Sequence, residues 1–302
     1  MGSNLIIKVG ELWFKNPIIL ASGILGDKAS LLKRAINEGV GGIVTKSITL
    51  EPREGYKTPI IIGLKCGFLN AVGLANPGID GIKELISEIN TKDVPIIVSI
   101  AGSSIQEFIK IAKASEKYGA DGIELNFSCP HVRGKGIEIG ADPQLVFEII
   151  DNVRREVNIP IFVKLGLSDN IIKASEKALE GGANALVLIN TIKGMAIDVW
   201  VQKPILSNKF GGVSGCAIHP IAVRVVYEIY EEFQADIIGV GGVEDWEDAI
   251  EFILAGARAV QVGSAIAYKG YSIFKELKNG ILNYLDKLGI KSIEEIVGIA
   301  HS

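Results

Sequence analysis

An amide and a thiol stand three residues apart where an apolar run gives way to a loop, in Glu124-Leu125-Asn126-Phe127-Ser128-Cys129-Pro130. The amide can hold the polar edge of a ring. The thiol can act as a proton acceptor or a nucleophile, or lie inert. Free thiols are commonly buried and unreactive. This one follows a strand-like segment and precedes a glycine-rich stretch, 131–140, an arrangement that suits a lid over a substrate. A cysteine, with a free pKa of about 8.5, deprotonates at modest cost beside cations. Cys66 and Cys216 fall in long connections and read as structural or incidental.

Other apolar runs end in polar or glycine residues as well. In chain order the ends are Ser22, Lys46-Ser47, Ser99, Asn126, Lys164, Asn190-Thr191, Gly241-Gly242 and Gly263-Ser264. A set this consistent points to a shared ligand. Gly239-Val240-Gly241-Gly242 and Val262-Gly263-Ser264 offer backbone N–H groups to an anion such as a phosphate, because glycine permits close approach. Lys164 lies inside Ile161-Phe162-Val163-Lys164-Leu165, and a buried ammonium needs an anionic partner. The negative N1–O2 edge of a reduced flavin is one candidate and a protein carboxylate is the other. Lys46 follows the same logic. The carboxylates mostly read as solvated helix faces. The three histidines form no triad, no HExxH pattern occurs, and no metal-ligating set is expected.

The elements that must position these groups are short β-branched runs at 18–21, 42–45, 96–99, 122–126, 161–164, 185–189, 236–240 and 259–262. Apolar runs without alternation suit strands buried on both faces of a parallel sheet. Helical patterns lie between them at 28–38, 105–118, 144–157, 170–180, 220–233 and 245–255. Gly39, Gly119, Gly181 and Gly256 suit left-handed helix ends, and Asp142-Pro143 and His219-Pro220 suit helix starts. Eight strand–helix units in about 250 residues predict an α/β fold, a (β/α)8 TIM barrel with rim insertions and a single domain over 1–302. An open doubly wound sheet fits less well, since no glycine fingerprint follows the first strand. Residues 4–14 read as a strand pair closing the barrel bottom. Segments 48–93 and 192–217 are too long for ordinary loops and are expected to cover the catalytic rim.

Composition narrows the classes. The 302 residues are 48% hydrophobic with a net charge of −4, and the pI is near 5.6. That balance argues against a protein dependent on nucleic-acid backbone contacts. Three scattered cysteines make neither a disulfide framework nor an iron–sulfur site, so a reduced cytoplasmic setting is expected. No run of about 18 apolar residues is present, and no membrane association is expected.

Asn126-Phe127-Ser128-Cys129-Pro130 closely resembles the dihydroorotate dehydrogenase family. So do Thr45-Lys46-Ser47, the stretch Asn70-Ala71-Val72-Gly73-Leu74-Ala75-Asn76-Pro77-Gly78, Gly194-Met195-Ala196-Ile197-Asp198 and Gly211-Gly212-Val213-Ser214-Gly215. The likeness covers nearly the whole chain. It implies an FMN-containing barrel that oxidises dihydroorotate to orotate in pyrimidine (UMP) synthesis. In that resemblance Cys129 is the base for the C5 proton, and hydride passes from C6 to flavin N5. Lys46, Asn70, Ala71, Val72, Gly73, Leu74, Asn126, Asn190 and Thr191 resemble the substrate-binding residues. Ser22, Lys46, Ser47, Ser99, Asn126, Lys164, Ile189, Gly215, Gly241, Gly242, Gly263 and Ser264 resemble the FMN shell.

The cysteine base places the resemblance in class 1, and the Asn-Pro-Gly turn with Gly-Met-Ala-Ile-Asp is most like the NAD-linked class 1B catalytic subunit. That subclass implies a homodimeric core joined by a partner subunit carrying FAD and [2Fe–2S] in a heterotetramer. The alternatives are a fumarate-using homodimer, a related flavin barrel acting on another pyrimidine, and a phosphate-ligand-binding barrel without redox chemistry. Ser99, Ser264, His131 and Cys216 depart from the usual family residues.

Overall fold

The computed structural model describes residues 2–89, 91–127 and 136–302. Cys129, with Ser128, Pro130 and His131, lies outside the described residues. Eight parallel strands close into a barrel: β1 (Ile18–Leu20), β2 (Gly42–Val44), β3 (Ile96–Ile100), β4 (Gly122–Asn126), β5 (Ile161–Leu165), β6 (Ala185–Leu188), β7 (Ile237–Val240) and β8 (Ala259–Val262). Each pairs with the next, and β8 returns to β1 with Val260 opposite Ile18. Every residue of β1, β2, β3 and β5 is buried. This explains why the strands read as continuous apolar runs: helices cover the outside while side chains fill the inside.

The helices between strands fall within a few residues of the sequence expectation, at Ala29–Asn37, Ile105–Lys117, Pro143–Arg154, Ile171–Glu180, His219–Phe233 and Trp246–Leu254. Local chemistry sets their starts. Ser104 accepts a hydrogen bond from the Glu107 N–H, Asp142 accepts from Gln144 and Leu145, and Asp245 forms a capping box with Asp248. Gly39, Gly119 and Gly256 take positive φ at helix ends as expected. Gly181 does not: it keeps φ −71°, and Gly182 at φ +98° makes the left-handed turn one residue later. The helix Ser272–Leu288, unmarked in the sequence reading, packs against Trp246–Leu254.

The strand pair expected over 4–14 is a hairpin, Ile7–Val9 with Leu12–Phe14. The Phe14 ring occupies the space a Cβ on Gly42 would need, at the start of β2, so the hairpin plugs the barrel bottom. At the other end the two insertions join each other. Ile192–Met195, Phe210–Ser214, Gly67–Asn70 and Ile61–Leu64 form one four-stranded antiparallel sheet, with Gly212 opposite Asn70. Among the described residues, no helix is long and apolar enough to cross a membrane.

Candidate active site

The C-terminal strand ends and the insertion sheet enclose a cavity of about 410 Å³, within the roughly 300–1,000 Å³ common for small-molecule sites. Of the residues expected to bind substrate, Lys46, Asn70, Val72, Gly73, Leu74, Asn126, Asn190 and Thr191 line it. Ser22, Ser47, Lys164, Ile189, Gly215, Gly241, Gly242, Gly263 and Ser264, expected around the flavin, line it too. Two expected residues do not reach its wall. Ala71 is buried within the insertion layer, and Ser99 lies inside β3 rather than at its end, with no exposed surface.

Ser99 belongs to a polar chain beneath the cavity floor. Asn126 Nδ2 donates to Ser47 Oγ at 3.0 Å, Ser47 and Ser99 hydroxyls lie 2.9 Å apart, and Ser99 Oγ donates to Glu124 Oε1 at 3.3 Å. Gln261 Nε2 donates to Glu124 Oε2 at 2.7 Å from the opposite side of the barrel. Lys164 Nζ donates to Gln261 Oε1 at 3.1 Å and lies 3.9 Å from Glu124 Oε1. Both candidate partners of Lys164 are therefore compatible with one position: a protein carboxylate beneath it and an open cavity beside it. Sequence reasoning missed Glu124 and Gln261. Their only signal was polarity at an inward-facing strand position, two residues before Asn126 and Gly263 respectively.

The remaining walls are set by tight packing. Asn70 reaches the cavity from the insertion sheet, where its Nδ2 donates to the Gly212 carbonyl at 3.2 Å. A Cβ on Gly212 would fall 2.0 Å from Thr191 Oγ1, so glycine is required for Thr191 to pack there. Asn76 ties the segment after Asn70 into shape: its Oδ1 accepts from the N–H groups of Thr49 and Gly78, and its Nδ2 donates to the Leu74 carbonyl. Lys46 Nζ stands 3.8 Å from Asp27 Oδ2 at the cavity edge.

At the end of β7 the backbone comes close enough to cradle an anion. Gly241 and Gly242 have φ of +140° and +71°, and a Cβ on Gly242 would meet the Gly215 carbonyl at 2.7 Å. His219 pins this loop from behind. Its Nδ1 donates to the Gly241 carbonyl at 3.0 Å, and its Nε2 lies 2.9 Å from Glu251 Oε2 and 3.6 Å from Asp248 Oδ1. Glycines at the rim, a buried cation and convergent amides and hydroxyls fit a phosphorylated cofactor with an aromatic ring that becomes anionic.

Comparison with known proteins accords with this geometry. The profile of the family described as dihydroorotate dehydrogenase matches residues 4–285. The chain is 48% identical over 293 residues to the dihydroorotate dehydrogenase B (NAD(+)) catalytic subunit of Methanocaldococcus jannaschii, covering 95% of each chain. It is 46% identical over 299 residues to the putative dihydroorotate dehydrogenase A (fumarate) of Aeropyrum pernix, covering 98% of this chain and 97% of that one. The crystal structure of the Eimeria tenella enzyme DHODH in complex with ferulenol shares the fold, with a TM-score of 0.86 at 22% identity, covering 98% of this chain and 88% of that one.

Proposed function

The chain belongs to the dihydroorotate dehydrogenase family, and on that premise we propose that it oxidises (S)-dihydroorotate to orotate in pyrimidine biosynthesis, with FMN seated in the barrel mouth. The observation that carries this reading is the meeting in one cavity of a buried lysine, asparagines from three separate segments (Asn70, Asn126, Asn190) and the glycine ends of β7 and β8. The oxidation removes a proton from C5 and a hydride from C6, and leaves a ring double bond. Cys129 Sγ takes the C5 proton, which is acidic because it lies beside a carbonyl. When bound, FMN supplies the hydride acceptor at N5. Lys46, Asn70, Asn190 and Thr191 hold the substrate carboxylate and ring amides, with Val72, Gly73 and Leu74 forming the wall beside them. Asn126 is fixed in orientation because its Nδ2 is committed to Ser47. Lys164 would face the flavin edge that gains negative charge, Ser22, Ser47 and Ile189 would complete the flavin shell with Ser99 bracing Ser47 from beneath, and Gly215, Gly241, Gly242, Gly263 and Ser264 would receive the phosphate.

For the electron acceptor, the name of the Methanocaldococcus relative, an NAD(+) catalytic subunit, supports NAD and a further subunit; on this reading that partner carries FAD and [2Fe–2S], in a cytoplasmic heterotetramer built on a homodimer. The name of the Aeropyrum relative favours a second reading, a fumarate-using homodimer. Either assembly has use for the apolar tip of the second insertion, where Ile197, Val199, Trp200 and Val201 are exposed and Trp200 keeps 92% of its surface open. Clustered apolar side chains of this kind suit burial against a second protein surface.

Replacing Cys129 with alanine tests the chemistry. The variant is expected to hold FMN normally while anaerobic flavin reduction by dihydroorotate at neutral pH slows by about 10²–10⁴-fold, the usual contribution of a positioned base. Near-normal reduction would refute the base assignment. Purification of the native complex tests the acceptor. A second subunit with FAD and iron–sulfur absorbance supports NAD, and a lone homodimer reoxidised by fumarate supports the other reading.

A further inference from the structure

Glu124 is a carboxylate with no exposed surface, placed inside the barrel between Ile123 and Leu125. The reaction assigned above does not use it, and an apolar residue would fill the same space without the desolvation an ion suffers there. Its surroundings are built around its charge. Ser99 Oγ donates to one oxygen and Gln261 Nε2 to the other, while the Lys164 ammonium lies 3.9 Å away.

The direction of the neighbouring bonds follows from this. With the Ser99 hydroxyl given to Glu124, the Ser47 hydroxyl must donate to Ser99, and Ser47 then accepts from Asn126 Nδ2. On the other side, Gln261 has its Nε2 committed to Glu124, so its Oε1 is the atom that receives Lys164 Nζ. One buried charge thus orders donors on β3, β4, β5, β8 and the segment just after β2, and Asn126 and Lys164 face the cavity. A neutral residue at 124 would not impose that order.

We propose that Glu124 is a positioning residue that sets the charge Lys164 presents to the cofactor, and with it the reduction potential of the bound flavin. This rests on the FMN reading above. With Glu124 ionised, Lys164 acts on the cavity as one end of a close pair of opposite charges, whose field falls off faster than that of a lone cation. Without it, Lys164 presents an uncompensated positive charge, and the reduced, more negative flavin gains more than the oxidised one.

The test is potentiometry of the FMN-loaded Glu124→Gln variant, beside the wild type. The substitution keeps size and hydrogen-bonding capacity: the new amide oxygen can accept from Gln261, and its NH₂ can donate to Ser99. The ratio of affinities for reduced over oxidised flavin should increase at least tenfold, which is a rise of about 30 mV for a two-electron couple. The complementary change Lys164→Gln should move the potential the other way, downward, because it removes the cation that favours the reduced flavin. If Glu124→Gln does not fold, Glu124→Asp keeps the charge but draws it away from Lys164, and should raise the potential by a smaller amount. A purely structural role would lower flavin occupancy or thermal stability and leave the potential where it was, and that result overturns the proposal. So does a fall in potential in Glu124→Gln, or a rise in Lys164→Gln. Wild-type protein that takes up no FMN would instead remove the underlying functional reading, and this inference with it.

Discussion

Replacing Lys164 with methionine isolates the cost of stranding the charge beneath the cavity. The side chain is 5% exposed and Glu124 is 0% exposed, so bulk water screens neither well. Methionine fills the space of the lysine stem but leaves the carboxylate, among the described residues, with the neutral donors of Ser99 and Gln261. Removing one member of a buried ion pair costs about 3–5 kcal/mol. The 3.9 Å separation is longer than a direct hydrogen bond, and Lys164 borders the cavity, so the lower end applies, about 3 kcal/mol. At about 2.1 cal/mol/K of unfolding entropy per residue, the 302 residues give roughly 1.6 °C per kcal/mol, so the flavin-free protein should melt about 5 °C lower. Scanning calorimetry at neutral pH reads this directly. Adding Glu124→Leu to the methionine variant should recover most of the loss, because an apolar pair often replaces a buried ion pair without penalty. An unchanged melting temperature in the single variant, or a double variant that melts no higher than the single, would refute the pairing of these charges.

Other consequences follow from the rim. Gly242→Ala places a Cβ 2.7 Å from the Gly215 carbonyl at φ +71°, so the FMN dissociation constant, read by fluorescence titration of the apoprotein, should rise at least tenfold, the factor equivalent to about 1.4 kcal/mol. The control Gly39→Ala, also at positive φ but with nothing within 4 Å, should leave FMN affinity unchanged. Partial desolvation, the Glu244 carboxylate and the Cys66 thiol push the Cys216 thiol up from its ordinary value. Less thiolate is then present at neutral pH, so alkylation of exposed Cys216 by iodoacetamide should be slow there and rise with pH above the usual thiol range, and Glu244→Gln should speed the neutral reaction.

The barrel was legible because each of its strands is buried on both faces and each strand–helix unit is local. The expected strand at 122–126 and the observed β4 coincide to the residue. Helix ends were readable to within a few residues, and the shift from Gly181 to Gly182 shows the limit: two adjacent glycines can each take the turn, and packing decides. The insertion sheet was not legible, since Asn70 pairs with Gly212 across 142 positions and no local periodicity encodes that register. Most cavity-lining residues could be named because strand ends point to one mouth. Glu124 could not, because in sequence a single glutamate in an apolar run carries no sign of its partners. Gln261 lies 137 positions away, and Lys164 lies on the neighbouring strand. Ser99 was placed one residue too close to the strand end, which turned a floor residue into an expected wall residue.

On the proposed function, this cavity holds a flavin and hands it electrons from dihydroorotate. Anaerobic mixing of the FMN-loaded protein with dihydroorotate, followed by the absorbance of the oxidised flavin, tests it most directly. Bleaching by dihydroorotate and none by dihydrouracil is expected, since dihydrouracil lacks the carboxylate that the proposed function gives to Lys46 and the asparagines. A flavin that stays oxidised with dihydroorotate, or that bleaches equally with dihydrouracil, would contradict it.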